Sequence, residues 1–195
     1  MENEVREPAP KYNYISPQEY LLRERASDLR HEYFDGHIIA MSGASLRHNQ
    51  IERNITGSLF SFLSGKKCQV LPANMRVTNP SQDAYVYPDA SIVCDEPKLE
   101  DDKFDTLTNP SVIFELLSPS AAGVDKGRKF FFYREIPSLK EYIMIGSTRR
   151  YIIAARRQSD NSWLFENIDD SQGVLTIQTI NFTITFQEIY DGTGL

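Results

Sequence analysis

Three residues in this 195-residue chain have side chains that could do chemistry together: Asp89 in Tyr-Pro-Asp, Glu115 inside Val-Ile-Phe-Glu-Leu-Leu, and Lys129 in Asp-Lys-Gly-Arg-Lys. Glu115 is the most informative. The apolar residues around it read as a buried central strand, and a carboxylate in a sheet interior is costly unless it is paired or coordinates a cation. Two partners are open: a metal ion shared with Asp89, or an ion pair with Lys129 or an arginine. Two carboxylates on neighbouring strands suit Mg²⁺ or Mn²⁺, hard cations that take oxygen ligands and keep several waters. Such an ion generates hydroxide and stabilises charge on a phosphoryl oxygen, and a nearby lysine would orient the water. Phosphodiester hydrolysis needs this set. Each residue also has a plain reading. Pro-Asp is a turn dipeptide, and Lys129 lies four residues after Asp125 as a surface helix pair would. The order and spacing of the three together carry the signal.

The elements that must position these residues are legible in the pattern. Residues 1–13, with Pro8 and Pro10 and no periodicity, read as a flexible tail before one domain spanning 14–195. Ser16-Pro17-Gln18-Glu19 is a capping box with proline at the first helical position, starting a helix to about Arg25. Asp35-Gly36 between strand-like runs predicts a hairpin within 31–41. An apolar stripe of Leu46, Ile51, Ile55, Leu59, Phe62 and Leu63 predicts a helix over 45–63, with Gly65 past its end. Strands are expected near 69–71, 75–78 and 85–93, then at 112–117. A helix is expected at 125–134, and strands follow at 141–145, 151–155, 163–168, 174–177 and 182–186. This order predicts a mixed α/β (α+β) domain, one central mixed sheet flanked by helices, with extra strands at the C-terminus.

Charge is uneven. The chain carries a net −6, which argues against a strong general nucleic-acid binder. Residues 121–157, however, hold nine Lys/Arg against three Asp/Glu, and residues 83–105 hold eight acidic against two basic residues. A cation-holding protein facing a polyanion would show this, and so would two solvated faces. In the basic segment Lys126, Arg128 and the pairs Arg149-Arg150 and Arg156-Arg157 are candidates to meet phosphates. No run approaches the ~20 apolar residues of a membrane helix, and no apolar signal core opens the chain, so a soluble cytoplasmic protein is expected. Cys68 and Cys94 lack CxxC or histidine-rich context and read as reduced buried thiols. His31, His37 and His48 form no HExxH motif, and no GxSxG elbow supports a serine hydrolase.

The chain resembles the Uma-two family, a bacterial family placed with restriction-endonuclease-like nucleases. The resemblance runs from Ser16 to Gln187 through SPQEYLL, HEYFDGHIIAMSGASLRHNQI, VYPDASIV, VIFELLSPSAAGVDKGRKFFFY and IPSLKEYIMI. It implies a PD-(D/E)XK fold and a Mg²⁺- or Mn²⁺-dependent endonuclease acting on nucleic acid, with DNA favoured. Asp89 and Glu115 would be ligands, with the Leu116 carbonyl as a third. Leu117 holds the place of the motif lysine, and Lys129 stands where the family's lysine has moved, on the following helix. Glu32 matches a glutamate before the first hairpin turn and would complete the metal environment. His48 matches a histidine near the start of the long helix and is read as a polar helix-terminus residue. A homodimer is expected, since one metal site cuts one strand. The alternatives are a nuclease fold that only binds, and a hydrolase of a small phosphodiester.

Overall fold

The computed structural model describes residues 14–117, 125–171 and 173–195, with Asp125 and Lys126 described by backbone only. The expected 1–13 tail and the Asp125 partner for Lys129 lie outside the described residues and side chains. Helix α1 spans Pro17–Arg25, and its N-cap Ser16 accepts a hydrogen bond from the Glu19 amide. The Glu19 carboxylate turns to Arg23 instead of closing the capping box. Strands β1 (His31–Phe34) and β2 (His37–Ala40) form the expected two-residue hairpin. Its turn residues Asp35 and Gly36 have φ of 45° and 83°, the left-handed pair such a turn needs. A Cβ on Gly36 would lie 2.2 Å from the Tyr14 ring.

Helix α2 (Leu46–Leu63) buries Ile51, Ile55, Leu59 and Leu63 along one face. At roughly 1.5–3 kcal/mol per buried aliphatic side chain, that stripe holds the helix down. Leu46, apolar by type, stays exposed at the helix start. Then come β3 (Gln69–Pro72), β4 (Arg76–Thr78), β5 (Ala84–Val86) and β6 (Ala90–Val93). The single strand expected over 85–93 is thus two, broken at Tyr87-Pro88-Asp89. Pro88 has no N–H for a ladder, and at this break the chain leaves one sheet and enters another. The two-residue β7 (Thr106–Leu107) and β8 (Val112–Leu117) precede α3 (Asp125–Tyr133). The rest is β9 (Glu141–Gly146), β10 (Tyr151–Arg157), β11 (Trp163–Asp169), β12 (Val174–Ile177), a 3₁₀ turn at Gln178–Ile180, β13 (Phe182–Thr185) and α4 (Phe186–Ile189).

The one expected sheet is divided. Five strands run β2-β1-β5-β4-β7, six run β11-β10-β9-β8-β6-β3, and β12-β13 form a ribbon. Pairings are antiparallel except β8 with β9 and β4 with β7. Side chains alternate across β8. Val112, Phe114 and Leu116 pack with α2, the ribbon and α4. Ile113 and Leu117 pack with Phe132, Tyr133 and the five-stranded sheet. The six-stranded sheet is therefore covered on both faces, with α2 on one and α3 on the other.

Cys68 and Cys94 are joined in a disulfide, correcting the expectation of free thiols. The β3–β6 register pairs Gln69 with Val93, so the next residues outward are Cys68 and Cys94. Cross-strand adjacency brought them together, and nothing in their sequence spacing reveals it. Among the described residues, no helix is long and apolar enough to cross a membrane.

Candidate active site

The break at Pro88 sets Asp89 just before β6. The β6–β8 register pairs Ala90 with Phe114, so Asp89 lies at the level of Glu115. It sits at the sheet's end between the two covered faces. Its Oδ2 accepts the Leu116 amide at 2.6 Å, and its Oδ1 lies 2.8 Å from His48 Nε2 on α2. A strand residue points its N–H and C=O to the same edge, so the Leu116 carbonyl also faces the Asp89 side.

On the other face, α3 presents Lys129 and Tyr133 one turn apart. Lys129 Nζ is 3.2 Å from Glu115 Oε2 and 2.8 Å from Glu32 Oε1, and the Tyr133 hydroxyl donates to Glu115 Oε1 at 2.8 Å. Glu32 comes from β1 and also accepts the Tyr87 amide at 3.2 Å. Of the two partners open to Glu115, the structure supplies the lysine, with a tyrosine the sequence did not single out. Its signal was the four-residue spacing from Lys129, which puts both on one helix face.

The electrostatics follow from burial. The Lys129, Glu32 and Glu115 side chains are 14%, 11% and 10% exposed. Burial pushes the Glu115 carboxyl up to about 7; Lys129 opposes this, and the charges of Asp89 and Glu32 reinforce it. Burial disfavours the Lys129 ammonium, but Glu115 and Glu32 more than offset it and its pKa lies above the ordinary lysine value. Burial also works against the His48 imidazolium, yet the Asp89 hydrogen bond and charge raise its pKa overall. Glu52, one turn beyond His48 on α2, is raised by burial and by Asp89.

Glu32, Asp89, Glu115, Leu116 and Lys129 all line one cleft of about 870 Å³, together with His48, Glu52, Arg30 and Arg47. A second hollow of about 470 Å³, lined by α2 and α4 residues, holds none of the predicted groups. The basic pairs expected to meet phosphates are placed otherwise. Arg156 is buried between Glu141 and Glu166, and Arg157 donates to the carbonyls of Arg134, Ile136 and Leu139. Arg156 is an internal strut, and the half-buried Arg157 braces the chain that follows α3. Arg150 pairs with Asp170, Arg149 stacks on Tyr151, and Arg128 lies over Phe34. The Lys126 side chain lies outside the described ones.

A family profile, Uma2, described as a putative restriction endonuclease, matches residues 17–187. Two proteins of Synechocystis sp. are similar along their length. Uncharacterized protein sll1609 is 35% identical over 79% of this chain and 87% of its own. Uncharacterized protein slr1290 is 31% identical over 95% and 96%. Among solved structures, a putative nuclease belonging to DUF820 from Anabaena variabilis matches with a TM-score of 0.75 at 16% identity. The match covers 90% of this chain and 97% of that one. That likeness shows a shared fold, the mixed α/β architecture described above.

Proposed function

Because the chain belongs to the Uma2 family, described as putative restriction endonucleases, we propose that it is a metal-dependent endonuclease hydrolysing phosphodiester bonds of nucleic acid, DNA foremost. The observation that carries this is the meeting of Glu32, Asp89, Glu115 and Lys129, from four separate elements, in one cleft.

The donor set fits a hard divalent cation. Asp89, Glu115 and the Leu116 carbonyl offer oxygen only, as Mg²⁺ or Mn²⁺ takes, and Glu32 completes the surroundings. When bound, the cation would lower the pKa of water and stabilise charge on a phosphoryl oxygen. Lys129 has three N–H donors. Glu32 and Glu115 hold two of them in place, which leaves one to orient the attacking water or meet a phosphate oxygen. Glu115 would serve there as a ligand, its carboxylate held in place by Lys129 and the Tyr133 hydroxyl. Arg30 and Arg47 on the cleft wall supply positive charge for the backbone. Cutting both strands of a duplex calls for two copies of the chain.

The test is cleavage of plasmid, single-stranded DNA, RNA and a chromogenic phosphodiester with Mg²⁺ or Mn²⁺, by wild type and Asp89→Asn. Divalent-dependent cutting of polynucleotide, lost in the variant, supports the proposal. Turnover of the chromogenic ester alone would select a small-phosphodiester hydrolase. No turnover of any substrate would leave a nuclease fold that only binds.

A further inference from the structure

We infer that the cleft carries a second cation position, formed by His48 Nε2, the Glu52 carboxylate and Asp89 Oδ1, whose nitrogen ligand favours transition ions such as Co²⁺ or Zn²⁺ over Mg²⁺. It deepens the nuclease reading, and its part in cleavage rests on that reading.

The ligand atoms of the three residues lie within 4.8 Å of one another. Ligands on one octahedral ion at ~2.1 Å are about 3 Å apart when adjacent and about 4 Å apart when opposite. His48 Nε2 and Asp89 Oδ1 are 2.8 Å apart, joined by a hydrogen bond whose proton an ion between them would displace. His48 and Glu52 are four residues apart on α2, so one helix face presents both.

Charge points the same way. Glu32 and Glu115 share Lys129. On the α2 side, His48 is the group hydrogen-bonded to Asp89, and Glu52 adds a second acid beside it. Among the described residues Glu52 has no hydrogen-bonding or ion-pair partner for its carboxylate, and it is half-buried beside another acid. Arg30 relieves it only at longer range. A histidine–aspartate pair built for packing has no use for a third, repelled carboxylate, whereas a cation would neutralise it.

The orientation of Asp89 separates the two positions. Oδ1 faces His48 and Oδ2 faces the β8 backbone at Leu116. One carboxylate thus offers an oxygen to each side, as a bridging ligand between paired ions does. The β8 side is oxygen-only and suits Mg²⁺; the α2 side adds imidazole, which suits borderline transition ions.

The test is Mn²⁺ titrated into metal-free full-length protein and counted by electron paramagnetic resonance, with ¹⁴N modulation reporting imidazole ligation. Glu52→Gln is the main variant, since no fold contact is lost with the carboxylate; His48→Gln is the second. Wild type is expected to bind two Mn²⁺ per chain with nitrogen coupling, one of them displaced by excess Mg²⁺. Both α2 variants should bind one. Glu115→Gln should keep the nitrogen-coupled ion and lose the other. One Mn²⁺ without nitrogen coupling, lost in Glu115→Gln and kept in Glu52→Gln, would overturn the second position and leave the nuclease reading standing. One nitrogen-coupled ion, lost in Glu52→Gln and indifferent to Glu115→Gln, would support the α2 position and overturn the Asp89–Glu115 one. No Mn²⁺ binding at all overturns both.

Discussion

Glu115→Gln separates stability from chemistry at a single atom pair. Burial holds the Glu115 carboxyl at about 7, against 4.5 for an ordinary glutamate. Between those values the unfolded chain releases its proton while the folded chain keeps it. The folded state therefore binds more protons there, and stability falls as pH rises through that window. At about 1.4 kcal/mol per pH unit the loss reaches about 3 kcal/mol by pH 7 and is constant above. Glutamine is neutral throughout, can still accept from the Tyr133 hydroxyl, and leaves Lys129 with Glu32. Urea denaturation of both proteins in chelator from pH 4.5 to 8 should give curves that diverge with rising pH, the variant gaining relative to wild type. His48 and Glu52 titrate in both, so the difference reports Glu115 together with the smaller effect of its charge on His48. The same variant should lose divalent-dependent cleavage. Parallel stability curves across the window would refute the reasoning, because they would mean the carboxylate carries no desolvation cost and Lys129 fully compensates it.

Lys129→Met should cost about 3–5 kcal/mol at pH 8 by stranding Glu32 and Glu115 without a cation. Part should return on adding Glu115→Gln or lowering the pH, read by the same denaturation. Reducing the Cys68–Cys94 bond, which closes a separation of 26 residues, should remove about 3 kcal/mol. In a chain of this size that lowers the melting temperature by roughly 6–12 °C; identical melts with and without reductant would contradict it. Gly36→Ala should destabilise by at least about 1–2 kcal/mol, since alanine is strained in the left-handed conformation and its methyl group meets Tyr14; thermal melting checks this.

Much of the fold is written in local pattern, and much of the site is not. The hairpin at Asp35-Gly36, the α2 stripe and the buried run around Glu115 follow from turn chemistry and periodicity, and each formed where expected. The 85–93 strand split because an apolar run does not say which sheet owns each half, although Pro88 marks the place. Helix α4 replaced a strand end, and Thr185 with Glu188 does form a capping box there; the apolar run around it hid that signal. The disulfide depends on register between distant strands. At the site, the charged cost of Glu115 was legible from its neighbours. That Lys129 and Tyr133 meet it from one face, while His48 and Glu52 flank Asp89 from the other, depends on how two helices clasp the end of a sheet.

The two helix pairs also act as rulers. His48 and Glu52, and Lys129 and Tyr133, are each one turn apart, and a residue inserted inside either interval would swing its second member about 100° around the axis. The strand-to-strand connections, such as residues 96–105 between β6 and β7, carry no such periodic constraint. The transferable signature is therefore two rigid spacers, His-x-x-x-Glu and Lys-x-x-x-Tyr, with Pro-Asp and a glutamate in an apolar strand between them in the chain. A related chain that keeps both spacers keeps each pair on one helix face, whereas one that alters a spacer by a single residue parts the pair even when the rest of its sequence is close.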